Sequence, residues 1–228
     1  MTEQGIPMYD YIEGEGKMKY KSHLVFSMIL LFVVSGCHRP KLTGVEFEKI
    51  DTSQDPRQTP CRSEESISRR IEGGVLFITP LAEYKVSGVV VSKKSYSDDW
   101  EGEISPVDLA IAWGKLAEPE CDRYITFSHS HRWYRYQWKD GSPFDVSYVI
   151  AHSANNHIIS ARKNIDRALK MIKKRDRVVL EGYLVNLKGT YQGREVAWNT
   201  SMSRTDTGNG SCELFYVSKV RIDTRVYE

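Results

Sequence analysis

Histidine is the chemically versatile side chain that this 228-residue sequence concentrates most sharply, since four of its six fall between His129 and His157. They occur as Ser128-His129-Ser130-His131 and as His152-Ser-Ala-Asn-Asn-His157. Residues two apart on a strand project to one face, so an extended 128–131 would aim His129 and His131 the same way. Such a pair ligates a metal once a third ligand joins it. His152 or His157 would then complete a site of the kind that zinc or another divalent metal takes. The competing reading puts both at a hairpin end, satisfied by hydrogen bonds or solvent. No His-Glu-x-x-His pattern is present, and no carboxylate stands at a diagnostic offset.

Other nucleophile patterns are weaker. Asp145, Asp166 and Asp206 could each orient a histidine, but no Gly-x-Ser-x-Gly elbow accompanies them. Cys212 follows Gly208-Asn209-Gly210-Ser211 without the flanking signature of a catalytic thiol, and it reads as a structural or inert cysteine. Cys61, Cys121 and Cys212 are separated by 60 and 91 residues, which matches no zinc motif. In an exported chain two of the three could form a disulfide. Candidate binding residues are aromatic and amide. In 133–138 the alternation sets Tyr134, Tyr136 and Trp138 on one face, and with Trp133 they form a contact surface. Asn155 and Asn156 lie in 151–157, which reads as a tight hydrogen-bonded loop of the sort that carries binding residues.

The elements that must position these residues are mostly strands. Strand patterning covers 84–91, 124–128, 133–138, 146–150, 178–185, 195–199 and 213–222, with a polar loop at 201–211. Two amphipathic helices complete the inventory. One is expected over 105–117, with Ser105 as N-cap, Pro106 at the first helical position, and Leu109, Ala112, Trp113 and Leu116 on one stripe. The other is expected over 164–174, with Ile165, Ala168, Leu169 and Ile172 inward. The fold class is therefore strand-rich α+β. The run Asp176-Arg-Val-Val-Leu-Glu-Gly-Tyr-Leu-Val185 resembles the barrel strands of OB-like domains, which implies a small, partly open β-barrel.

The N-terminal region says where the domain works. Met18-Lys-Tyr-Lys-Ser-His23 is cationic, residues 24–34 form an apolar run of 11, and small residues follow. That is the layout of a secretory signal, and it is short of the roughly 20 residues a membrane-spanning helix needs. Val34-Ser35-Gly36-Cys37 resembles the lipobox of bacterial lipoproteins. The resemblance implies cleavage before Cys37, lipid attachment at that thiol and a membrane as partner. His38 follows the cysteine where Asp would imply retention in the inner membrane, so the resemblance places the domain at the periplasmic face of an outer membrane. Residues 1–17, with Glu3, Asp10, Glu13 and Glu15, read as an over-extended gene start, 18–36 as the signal peptide, 37–70 as a flexible tether, and 71–228 as one β-rich domain.

Thirty-two basic against 30 acidic residues give a formal charge of +2. No concentrated basic excess exists to recruit phosphate backbones, so nucleic acid is not an expected partner. The sequence thus predicts an envelope lipoprotein whose domain is a non-catalytic binding or accessory module for another envelope protein or a small ligand, without a cofactor. The alternative is a metal-dependent hydrolase built on His129 and His131 with His152 or His157.

Overall fold

The computed structural model describes residues 39–61 and 65–228. The signal segment and Cys37 lie outside the described residues. The chain begins with three short strands, β1 (Gly44–Val45), β2 (Arg57–Pro60) and β3 (Ile67–Ile71), and continues into the long β4 (Gly74–Ser95). Next come α1 (Trp100–Ile104), β5 (Val107–Ala112), a hairpin of β6 (Ile125–Ser130) and β7 (Trp133–Trp138), and α2 (Val146–Ala151). The last part holds β8 (Ser153–Ser160), α3 (Lys163–Met171), β9 (Arg177–Tyr191), β10 (Arg194–Trp198), β11 (Glu213–Ile222) and β12 (Arg225–Tyr227). The result is a strand-rich α+β fold.

Five strands organise it. β4 pairs with β5, β5 with β8, and β8 with β11 in parallel, while β11 pairs with β9 and β9 returns to β4. The sheet is therefore partly closed on itself. β4 serves two neighbours because it bends: its register shifts at Pro80/Ala82 against β9 and at Val90/Ser92 against β5, the local effect of a bulge. β9 and β11 approach so closely at Gly182 that a Cβ there would collide with the Tyr216 carbonyl oxygen. The enclosed core contains Tyr84, Leu109, Ile111, Trp113, Phe215 and Val217, with Tyr84 and Phe215 meeting edge to face at 4.9 Å. α3 buries Ile165, Ala168 and Leu169 in the same core. Lys93 closes that helix, its Nζ donating to the carbonyls of Leu169, Lys170 and Ile172, which the end of a helix otherwise leaves unpaired.

Four sequence expectations differ from the structure. The helix expected over 105–117 is instead the strand β5. Ser105 ends α1, its N–H donating to Glu101 O, and Pro106 then prevents the helix from continuing. Every residue of Val107–Ala112 is buried. A strand covered on both faces loses its alternation, and its apolar run also satisfies a helical stripe. Residues 146–150, expected as a strand, form α2, because the Asp145 carboxylate caps the Tyr148 N–H at 2.7 Å. Residues 151–157, expected as a loop, lie largely in β8. Asn156 is polar yet fully buried there, its Nδ2 donating to the Leu109 and Ala154 carbonyls. The stretch 37–70, read as a tether, contains β1, β2 and most of β3, and Trp113 Nε1 donates to Asp55 at 2.9 Å.

Candidate functional site

The hairpin of β6 and β7 lies over the outer face of β5. Its turn residues His131 and Arg132 have φ of 49° and 65°, the left-handed pair that a two-residue hairpin turn requires and that side chains other than Gly, Asn and Asp adopt at a cost. What that turn achieves is the placement of Arg132. Its Nη1 meets Asp108 Oδ1 at 2.7 Å and the Ser105 carbonyl at 2.9 Å. Its guanidinium lies 3.9 Å from the centre of the Tyr96 ring and 5.4 Å from that of Trp198.

Strand register supplies the second partner of Asp108. His157 of β8 is paired directly opposite it on β5, and Nδ1 of the imidazole stands 2.9 Å from Asp108 Oδ1. Burial works against the charged imidazole, but Asp108 and the neighbouring Cys212 outweigh it and push the His157 pKa up to about 9. The Trp198 ring covers the imidazole at 4.7 Å. Two residues along the same face, Asn155 joins the group. Its Oδ1 is 2.8 Å from His129 Nε2, and its Nδ2 is directed to Cys212 Sγ at 3.4 Å and to the Arg132 carbonyl. His129 Nδ1 meets Ser92 Oγ at 2.8 Å, and burial holds the His129 pKa below its usual value.

Beside this polar group opens a cleft of about 150 Å³. Its floor is Ser153, Ala154 and Asn155 of β8, one wall is Trp133, Tyr134 and Tyr136 of the hairpin, and the other is the 203–211 loop with Glu213. The wall is an aromatic row: Tyr134 and Tyr136 lie 5.6 Å apart, and Tyr136 and Trp138 lie 5.0 Å apart. The Tyr134 hydroxyl donates to Ser153 Oγ at 2.8 Å, fixing the row to the floor, whereas Trp133 is 46 % exposed at the edge. In the loop, Ser201 Oγ lies 2.7 Å from Asp206 Oδ2 and accepts from the Ser203 N–H. Arg204 reaches inward, its guanidinium 5.7 Å from both the Tyr84 and the Trp113 ring centres. Glu213 is buried and its Oε2 has no hydrogen-bond partner. Burial pushes its pKa up to about 8, with Arg204 opposing. It is therefore largely a neutral acid at neutral pH, able to donate as well as accept.

The sequence-derived candidates are distributed as follows. Trp133, Tyr134, Tyr136 and Asn155 line the cleft, whereas Trp138 continues the row outside it and Asn156 donates to backbone carbonyls of β5 and β8. His129 and His157 belong to one polar group. His131 is in the hairpin turn beside Ser130 Oγ, and His152 caps α2, stacked on Tyr148 at 3.8 Å. The four histidines are not brought together, and among the described residues no group of three His, Cys, Asp or Glu side chains is arranged to hold a metal. Cys61, Cys121 and Cys212 are free thiols. Sequence reasoning missed Asp108, Arg132, Arg204 and Glu213. The available signal was a carboxylate inside an otherwise apolar strand, in Val107-Asp108-Leu109 and in Glu213-Leu214-Phe215.

No family model, curated protein or solved structure matches the chain.

Proposed function

We propose that this chain is an envelope lipoprotein, held at the periplasmic face of an outer membrane through Cys37, whose OB-like barrel binds a small polar ligand or the side chains of an envelope partner in the cleft. Support for the barrel reading is the order of pairings, in which the first strand meets the second and fourth and the third runs parallel to the fifth. OB-folds take ligands on the face of strands two and three, between the loops joining strands one to two and four to five. Here those strands are β5 and β8, and the second of those loops contains residues 199–212. Two or more acyl chains would give the stable attachment that one cannot.

The observation that carries the binding reading is Glu213. A buried carboxyl oxygen without a partner, lining a cleft with an exposed tryptophan at its rim, is a hydrogen-bonding group placed for something that enters. The test uses the full chain. A thermal-shift screen of small polar envelope components is followed by titration of the hits with Trp133→Ala and Arg204→Ala. Both variants are expected to lose about tenfold or more in affinity, roughly 1.4 kcal/mol. Hits that bind both variants as tightly as the unmodified chain would place the ligand elsewhere and defeat the reading. Labelled-palmitate incorporation that survives Cys37→Ser would defeat the anchor.

A further inference from the structure

The chain that follows Cys37 is fixed to the domain almost at once. Four residues on, the Lys41 N–H donates to Asn164 Oδ1 at 2.6 Å, and Asn164 Nδ2 donates back to the Lys41 carbonyl at 2.9 Å. The Thr43 and Glu46 N–H groups then donate to the Val226 and Thr224 carbonyls, both at 2.9 Å, on either side of the β1–β12 pairing. Four residues of chain span at most about 14 Å, whereas a domain of this length is roughly 40 Å across. A lipid on Cys37 would therefore hold the end of the domain that carries β1 and β12 against the bilayer. The surface at that end suits the position. Leu42 is 45 %, Val45 47 % and Phe47 87 % exposed, three large apolar side chains within one short segment. The backbone around Phe47 is nevertheless held. The buried Arg221 donates through Nη1 to Glu46 Oε2 at 2.6 Å and through Nη2 to the Glu46 and Glu48 carbonyls, on either side of the ring. Arg39, Lys41 and Lys49 outnumber Glu46 and Glu48, and Glu46 is paired with Arg221, so no acidic field repels phosphate headgroups.

We infer that Leu42, Val45 and Phe47 form a membrane-contact face, which enters the boundary between headgroups and acyl chains beside the lipid on Cys37 and seats the domain in one orientation. The inference rests on Cys37 as the anchor and adds to it the surface that the bilayer covers. Apolar faces seated at that boundary sink by about 5–10 Å, a depth that the short link from Cys37 to Lys41 accommodates. Burial of the Phe47 ring favours the seated orientation by about tenfold or more over orientations that leave the ring in water. Leu42 and Val45 act in the same direction. The lipid supplies attachment, and the face supplies orientation.

The experiment is photolabelling of the full chain from the lipid side. The protein, purified from the bacterial envelope, is reconstituted in vesicles of phosphatidylethanolamine and phosphatidylglycerol that contain a phospholipid with a photoactivatable diazirine on its acyl chain. After irradiation, peptide mass spectrometry reads both the acyl mass on Cys37 and the label on each segment. Phe77 is the internal control. It is 49 % exposed, yet it pairs with Lys188, about 33 Å of strand along β9 from Val178, which pairs with Ile222 beside β12. Label on 42–47 is expected at about tenfold or more its level around Phe77. Phe47→Ser should lower it severalfold with acylation of Cys37 unchanged, and the variant keeps its core because Phe47 belongs to none of the core clusters. An acylated Cys37 with equal label at the two segments, or with none on 42–47, overturns the inference and leaves the anchor standing. Label on 42–47 that Phe47→Ser does not reduce overturns it as well. A Cys37 without acyl mass removes the anchor reading, and the inference falls with it.

Discussion

Replacing Glu213 by Gln should make the protein's stability less sensitive to pH in one defined window. The folded chain keeps the Glu213 proton up to a pH of about 8, against a usual 4.5. The protonated form therefore stabilises the fold fully below 4.5, and that stabilisation is lost as pH rises from there through 8. Each unit in the window costs up to about 1.4 kcal/mol, so the whole span costs at most roughly 5 kcal/mol. His157 adds a second, later slope. Its pKa is raised from 6.5 to about 9, so its contribution is complete below 6.5 and is lost as pH rises through 9. Between pH about 5 and 6.5 the first window acts almost alone. Urea denaturation across that interval should show the unmodified chain losing about 2 kcal/mol more than Glu213→Gln. Above pH about 8 the variant should be the more stable of the two, since Gln makes no charge in the same buried place. Parallel stability curves for the two proteins from pH 5 to 6.5 would refute the claim that the fold holds this carboxyl neutral.

Two further predictions concern the framework. Asp108→Asn leaves Arg132 and His157 without their shared carboxylate, so chemical denaturation should show a loss of about 3–5 kcal/mol; the His157 imidazole, followed by NMR titration, should move down towards its usual range. Gly182→Ala forces a Cβ into the Tyr216 carbonyl oxygen, and the melting transition should report a loss of about 2–4 kcal/mol.

Where the sequence was legible, one face of an element met water. β7 alternates because one side carries the aromatic row, and α3 shows its stripe because one side is solvated. The bounds of β11 agree with the strand read over 213–222. Legibility failed where both faces are covered. β5 is buried throughout, so periodicity had nothing to discriminate, and β8 carries amide and imidazole groups whose partners come from other strands. The site failed for a related reason. Asp108, Arg132, His157 and Cys212 are spread over more than a hundred residues, and only the pairing of β5, β8 and β11 makes them neighbours. The histidines looked like a group because they are near in sequence, whereas strand direction sends them to three separate places.

The hairpin of β6 and β7 forms a two-stranded sheet that shares no strand with the larger one. Such a ribbon is marginal by itself, so its order is borrowed through side chains: the Phe127 contacts with the outer core, the Tyr134 hydroxyl and the Arg132 clasp. The same ribbon is the wall of the cleft and the source of the cation beside His157. Lifting it would open one wall of the cleft and take Arg132 away from Asp108, the carboxylate beside His157, in one motion, so the shape of the cleft and the surroundings of the imidazole cannot change independently.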